Sequence, residues 1–391
     1  MPDGGDTLTI KVLHSLATIE PIAWDRCAGP DDPFMRHAFL YALEKSGSAS
    51  AETGWAPHHL VIEGPDGGLL AAAPLYLKNH SYGEYVFDWG WADAYERAGG
   101  AYYPKLQCSV PFTPVTGRRL LVRDDLPEGR KNELMTALVA GMVELARKSD
   151  ASSVHITFPT EQEWSRLGDL TFVKRVGQQY HWENRGYGSF DDFLGDLTSR
   201  KRKQIRKERK KVADLGLDIR ILTGDAIEER HWDAFYRFYR STSDKKWGPS
   251  YLTRSFFSMV GQEMGDDIAL VYVEDDGQPV AGALNLIGGE ALFGRNWGCL
   301  KTHKFLHFEA CYYRAIDFAI ERGLARVEAG AQGPHKVQRG YIPNRTYSAH
   351  WFADAGLGSA IGDFVQRERR GVEYEIAMMM EDLPFRNEEN D

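Results

Sequence analysis

Cysteine is scarce in this 391-residue chain: Cys27, Cys108, Cys299 and Cys311 stand far apart, with no CxxC pair. That argues against a disulfide framework or a zinc ribbon and fits a reducing cytoplasm. Long hydrophobic runs are also missing. The longest, residues 69–77, is nine residues with a proline inside, where a membrane-spanning helix needs about 20. The opening MPDGGDTLTI carries two acids and neither a basic nor an apolar stretch, so no signal peptide is expected. What is present is ordinary for a soluble globular protein: 43% hydrophobic and 26% charged residues. At roughly 150 residues per domain, the length suggests two to three domains. Aromatics at 12% can supply a large core or an aromatic-lined groove.

Basic residues are in deficit everywhere but one place. Residues 200–211 hold nine bases and one acid, which leaves 38 bases against 55 acids, or −17, for the rest. Such a body is a poor general coater of nucleic acid, but one basic helix is a credible seat for a single polyanion. Arginine forks such as Arg202 and Arg206 match a pyrophosphate or a tRNA backbone, or anionic lipid headgroups at a peripheral membrane contact. No reader motif accompanies the helix, so no DNA partner is expected. The bland alternative is a solvated inter-domain helix.

The chain also contains itself twice. Residues 59–91 and 269–298 each read as strand, Asp-Gly turn, long strand, turn, strand. The turns are Asp66-Gly67 and Asp276-Gly277, a strong hairpin signal. Each third strand is expected to end on a Trp-Gly pair, so that Trp89 mirrors Trp297. An amphipathic helix follows each meander, with Leu134, Leu138, Met142 and Leu145 in one copy and Phe305, Phe308, Tyr312, Ile316 and Ala319 in the other. Each helix feeds a short strand, VHITF at 154–158 and RVEAG at 326–330. A proline- and glycine-punctuated insert near 102–119 lengthens the first copy and is expected to be irregular. Between the copies, Phe190, Phe193, Leu194 and Leu197 share a helical face, and the basic helix follows.

A meander followed by helix and strand resembles the GCN5-related N-acyltransferase (GNAT) core. Two such units joined by a basic helical segment resemble the Fem peptidoglycan-bridge aminoacyltransferases. The resemblance is closest to the FemAB-like group of N-acyltransferases. It is carried by TSDKKWGPSYLTRSFF (242–257), KTHKFLHFEACYYRAIDFAIERGL (301–324), VEAGAQGPHKVQRGYIPNRTYSAHW (327–351) and SVPFTPVTGRRLL (109–121). It implies an α+β fold of tandem GNAT-like domains, each a mainly antiparallel sheet flanked by helices. The expected divisions are 1–186 for the first domain, 187–215 for a helical linker and 216–391 for the second. It also implies acyl transfer to a primary amine, with a degenerate, acceptor-binding first copy and chemistry in the second. One departure is plain. GNAT enzymes carry a glycine-rich loop that holds coenzyme A pyrophosphate, whereas WGCLKTHKFLHFE (297–309) has no such pattern.

Amide formation needs a base for the amine, stabilisation of the carbonyl oxygen, an acid for the leaving group and alignment. Glu309 and His303 are the expected base and acid, with His335 a third catalytic candidate. Lys301 and Lys304 near a helix start suit an anionic donor. Arg295 on the third strand, and Gly333, Lys336 and Arg339 in the loop GAQGPHKVQRGY, complete the expected donor side. Lys245 and Trp247 pair a cation with a stacking face; with Asp88, Arg202, Arg206 and Tyr341 they form the expected acceptor side. His303 and His307 have a metal-ligand spacing, but no third ligand accompanies them and no metal is expected. No tightly bound cofactor is expected either; an acyl-CoA or other acyl thioester serves as co-substrate. The acceptor is a small-molecule or lipid amine, long-chain as in ceramide-type acylation, or a peptidoglycan precursor served by aminoacyl-tRNA. The acidic body and the aromatic content favour the first pair. A non-catalytic module that recognises cell-wall precursor is the rival of another class. The expected location is the cytoplasm, peripheral to the inner membrane face.

Overall fold

The computed structural model describes residues 8–246, 250–331 and 333–386. The chain forms two compact units, 1–177 with 346–371 and 178–345 with 372–391. This differs from the expected divisions at 186 and 215. The helical segment 187–215 belongs to the second unit, and residues 346–371 return to the first.

The first unit opens with β1 (Thr9–Leu13), α1 (Pro21–Ala28), α2 (His37–Lys45) and β2 (Trp55–Pro57). The meander follows as β3 (His59–Glu63), β4 (Leu69–Ala73) and β5 (Leu75–Lys78), then α3 (Trp89–Arg97), β6 (Lys105–Cys108), β7 (Leu121–Val122), α4 (Glu128–Lys148), β8 (Ser153–Thr157) and α5 (Glu161–Asp169). One sheet has the order β1-β3-β4-β7. Pro74 separates β4 from β5, and β5 pairs instead with β2 and β6. β6 then pairs in parallel with β8. The strand β9 (Val173–Glu183) begins in this unit and ends in the next.

The expected third strand of the first copy does not form. Trp89 starts a helix, while Trp297 sits inside a strand, so the two tryptophans are not equivalents. The third strand is Lys105–Cys108, after the aromatic segment. The backbone turns at Gly83 and Tyr85, where φ is positive, and residues 82–89 are held by side chains rather than by a ladder.

The second unit adds α6 (Phe190–Asp196), α7 (Ser199–Ala213), β10 (Asp218–Leu222), α8 (Glu229–Lys246), α9 (Arg254–Met264), β11 (Ile268–Asp275), β12 (Gln278–Ile287) and β13 (Ala291–Cys299). A helix then runs as α10 (Leu306–Phe308), a π-helical turn (Glu309–Tyr313) and α11 (Arg314–Glu321), followed by β14 (Arg326–Glu328). Its sheet runs β10-β11-β12-β13-β14 and ends on the last residues of β9. β15 (Ile342–Phe352) and α12 (Ala355–Glu381) complete the chain. The core lies under the sheet, where Trp182, Leu292 and Val327 meet Ile316, Phe318 and Ala319 of α11 and Phe193 and Leu194 of α6. Full burial of each large apolar side chain is worth about 1.5–3 kcal/mol.

The single acid of the basic helix explains its orientation. Ile205, Glu208 and Val212 of α7 are buried, a helical stripe that leaves most of the bases outside. Glu208 accepts two hydrogen bonds from Arg339, at 3.0 and 3.1 Å, and one from the Tyr313 hydroxyl.

Candidate active site

The second unit has an opening built by its own register. Parallel β13 and β14 pair only through Ala291–Arg326, Leu292–Val327 and Phe293–Glu328. There β14 ends, while β13 runs on to Cys299. Leu292, Val327 and Trp182 lie in one register row and pack into the core. Because side chains alternate along a strand, the next row, Phe293, Glu328 and His181, faces the other way. Leu284 pairs with Asn296 and Asn285 with Gly294, so Arg295 is an extra residue at a bulge. Bulges bend strands and re-aim side chains. At Gly294 an added Cβ would meet the Glu328 carbonyl oxygen at 3.3 Å, so the backbones approach closely there.

Glu328 and His181 are the unexpected pair at this point. Glu328 Oε1 accepts from Arg326 Nε at 2.9 Å. Its Oε2 lies 3.7 Å from His181 Nε2, and neither of these buried atoms has a hydrogen-bond partner within the protein. Burial pushes the Glu328 carboxyl up, against the pull of Arg326 and Arg295. Burial, helped by Arg326, pushes His181 down to about 4. The imidazole is therefore neutral at pH 7, and the 3.7 Å contact is not an ion pair. A carboxylate with raised proton affinity beside a neutral imidazole is an acid–base pair of the kind that reactive sites use.

The loop after β14 closes over itself. Buried Lys336 donates to the carbonyls of Ala329 and Gly330, and burial pushes its amine down to about 8. Gly333 has φ +99°, and a Cβ there would strike the His335 ring at 2.3 Å. His335 is exposed; its Nε2 is 3.2 Å from the Tyr312 hydroxyl. Burial, then Arg339 and Lys336, hold its pKa below the ordinary value. Arg339 is buried in the Glu208 pair and stacks 3.6 Å from the centre of the Phe308 ring.

The expected residues therefore divide. Glu309 opens the π-helical turn and is buried; its Oε1 accepts from Arg209 at 3.1 Å and lies 3.1 Å from Arg314 Nε. Arg209 is itself held by Asp317. Burial raises Glu309 and the arginines lower it, with the net shift upward. His303 keeps a buried Nε2 without a partner. Lys301 pairs with Asp275 at 2.7 Å, and Lys304 is exposed, 5.2 Å from the Phe305 ring. Arg202 and Arg206 face outward on α7, Arg206 paired with Asp191 at 2.8 Å.

Three expectations need correction. Tyr341 is fully buried in the core, with no exposed acceptor face. Asp88 is buried beneath the first unit's aromatic segment, where Lys105 and Tyr102 occupy its Oδ2. Arg339 has its guanidinium consumed by Glu208, Tyr313 and the His335 carbonyl, which leaves it a scaffold group rather than a free donor-binding cation. Trp247 and the side chain of Lys245 lie outside the described residues.

Comparison with known proteins follows the same outline. The family model for FemAB-like proteins, described as peptidoglycan biosynthesis/recognition, matches residues 15–387. The chain belongs to the FemAB-like family. No curated protein matches it. Among solved structures, FemX is similar at 13% identity and TM-score 0.53, over 90% of this chain and all of that one. The C-terminal domain of a putative lysylphosphatidylglycerol synthetase from Agrobacterium fabrum is similar at 11% identity and TM-score 0.52, over 87% and 93%. L-PGS from Bacillus licheniformis gives 10% and 0.50, over 86% and 98%. At such identities the likeness concerns the fold, and this FemAB-like chain has the expected α+β fold of two units with mainly antiparallel sheets flanked by helices.

Glu328 and His181 were readable in part. VEAG places one acid between two apolar residues beside a glycine, and YHW places one histidine between two core aromatics. Alternation alone puts both on the face away from the core. That the two strands pair directly, Glu328 opposite His181, could not be read from either segment.

Proposed function

We propose that the second unit transfers an acyl group from a thioester donor to a primary amine. The observation that carries this reading is the parting of β13 from β14 at Phe293–Glu328, with Glu328 Oε2 and His181 Nε2 buried and unpaired there. The amine nitrogen attacks the thioester carbonyl, a C–N bond forms, and the C–S bond breaks. Glu328 takes the proton that the amine loses, and the neutral imidazole of His181 relays it toward the departing thiolate, which leaves as thiol. Arg295, at the bulge, supplies positive charge where the carbonyl oxygen becomes negative. Lys301 and Lys304, on the loop after β13, are the cations proposed for the donor's phosphates.

Four free cysteines fit a reducing compartment, which supports a cytoplasmic reaction. Among the described residues no helix is long and apolar enough to cross a membrane. A second reading is aminoacyl transfer to a peptidoglycan precursor, favoured by the family's description.

Donor and acceptor saturation across a salt series separates the two. With a compact thioester, Lys301→Gln with Lys304→Gln raises donor KM more than acceptor KM, and the salt slope is shallow. With aminoacyl-tRNA, affinity falls with salt at a slope of about −0.7 per phosphate contact. A steep slope that Arg202→Gln with Arg206→Gln abolishes would replace the thioester with tRNA. Tight ligand binding without transfer from either donor class would favour the recognition module.

A further inference from the structure

Residues 82–89 of the first unit form no strand, and only Trp89, the first residue of α3, is helical. Glu84 and Asp88 point inward and are buried; Tyr85, Phe87 and Trp89 point outward. The inward groups are fastened from below. Lys105 Nζ donates to Glu84 at 2.7 Å, to Asp88 at 2.5 Å and to Ser81 at 2.8 Å. Lys78 holds the Tyr82 carbonyl at 3.2 Å, and Arg175 holds the Phe87 carbonyl at 2.8 Å. Three of the outward rings form one continuous surface. Phe87 and Trp89 stack at 5.1 Å between centroids, and Tyr82 lies 5.8 Å from Trp89. Their exposures are 55% for Tyr82, 41% for Tyr85, 51% for Phe87 and 45% for Trp89. Of the eleven exposed large apolar side chains among the described residues, four fall in these eight positions. A fold that needed only stability would not bury two lysines and two carboxylates to hold aromatic rings in water.

We propose that this aromatic surface docks the first unit onto the interfacial zone of a zwitterionic phospholipid bilayer. Three features select that occupant. Tyrosine and tryptophan settle at the headgroup level with apolar bodies and polar tips, and the phenylalanine adds apolar area. Residues 79–92 contain no lysine or arginine; of the cations that reach them, Lys78 and Lys105 are buried and Arg175 is paired with Glu368, so the face carries little free positive charge for anionic lipid, unlike α7 of the second unit. Four half-exposed rings present a few hundred Å² at most, well under the roughly 800 Å² per partner of a stable protein interface. Saccharide recognition needs hydrogen-bonding side chains beside the ring plane, and here Ser81, Glu84 and Asp88 are turned inward and used.

The test is co-sedimentation of the full chain with phosphatidylcholine vesicles, with and without 20% phosphatidylglycerol, at low and high salt. Binding to pure phosphatidylcholine that salt does not weaken is expected. Phe87→Ser with Trp89→Ser should lower the partition coefficient by at least about tenfold, since docking strength follows the apolar area inserted. Phe87→Tyr with Trp89→Phe should retain most binding, which a merely structural disturbance would not allow. Ile22→Ser, at an exposed apolar site elsewhere in the same unit, should change nothing. Turnover of a water-soluble short amine by the Ser variant should match wild type, so failure of docking and failure of the transferase reading are distinguishable. Three results would overturn the proposal: no binding to phosphatidylcholine; binding only with phosphatidylglycerol and lost in Arg202→Glu with Arg206→Glu; or a soluble saccharide or a second copy of the chain, rather than vesicles, released by the Ser variant.

Discussion

The two units each contain a short parallel strand pair, and they finish it in opposite ways. In the first, β6 pairs with β8 from Leu106–Val154 to Cys108–Ile156 and stops. The chain then folds back on the end of β8. The Arg119 guanidinium, fully buried, donates to the carbonyls of Thr157 at 2.9 Å, Arg118 at 3.1 Å and Val115. The amides of Arg119 and Leu120 donate to the buried carboxylate of Glu163. In the second, β13 continues beyond its last paired residue, and a helix follows with no such fold-back. The same topology thus yields a sealed strand end or an open one, depending on the segment that follows the strand. Buried charge follows suit. In the first unit Lys105 bridges Glu84 and Asp88, and Tyr102, His155 and His350 continue the network, the two imidazoles 2.6 Å apart at Nδ1. In the second, Glu328 and His181 face one another without a hydrogen bond.

The strongest way to break this contrast is to remove the charge at the centre of the sealed network. Lys105→Met leaves Glu84 and Asp88 buried without their ammonium. Breaking a buried ion pair from one side costs about 3–5 kcal/mol. Urea unfolding should show that loss in the first unit's transition, with the exposed rings of 82–89 released at lower denaturant. A loss under about 1 kcal/mol would mean that the network does not hold the aromatic surface.

The next largest effect falls on rate. Glu328→Gln should lower kcat by about 10²–10⁴-fold with the unfolding midpoint almost unmoved. In the parent, the rate should fall with acidification through a pKa above the ordinary 4.5 of a glutamate, because burial favours the protonated form. The counterpart change in the sealed unit, His155→Asn, should do the reverse and lower stability without touching turnover. If both changes slowed turnover alike, the sealed unit would also be reactive.

Much of this was legible in the sequence. The Asp-Gly turns, the amphipathic helices α4 and α11 and the final strands β8 and β14 follow from local periodicity, and local periodicity placed them correctly. The misreading of 82–89 has a physical cause. Gly83 and Tyr85 have φ +80° and +60°, so the segment turns rather than extends, and its anchors, Lys105 and Arg175, lie 17 and 88 residues away from the groups they hold. The buried role of Arg339 was hidden in the same way, since its partner Glu208 is 131 residues distant. Long-range charge pairing leaves no period in a sequence.

A smaller effect separates Lys78 from its neighbours through pH. Burial pushes its amine down to about 6 from 10.5, with Lys105 adding to the push and Glu84 and Asp88 opposing it. Between those values the unfolded chain binds a proton that the folded chain does not, so stability rises with pH. Glu84, raised by burial to about 7 from 4.5, acts in the opposite sense below pH 7. The clean window is therefore pH 7–9. There, urea midpoints of the parent should climb, and those of Lys78→Met should climb less.

The smallest expected effect tests the two sides of α7. Arg206 reaches Asp191 at 2.8 Å, but both side chains are more than half exposed. Arg202 donates only to Ser199, at 3.3 Å. Exposed pairs of this kind contribute about 0.2–1 kcal/mol, and often nothing measurable. Arg202→Ala with Arg206→Ala should therefore change the second unit's stability by no more than about 1 kcal/mol, and less as salt is raised. Glu208, two residues beyond Arg206 and six beyond Arg202, is buried and accepts from Arg339 Nη2 at both carboxylate oxygens. A larger loss for the double variant would place these bases in the scaffold alongside Arg209, whose guanidinium spans Glu309 and Asp317. The expected small change leaves the outward face of α7 free of structural duty, and its charge available to whatever anion the protein meets.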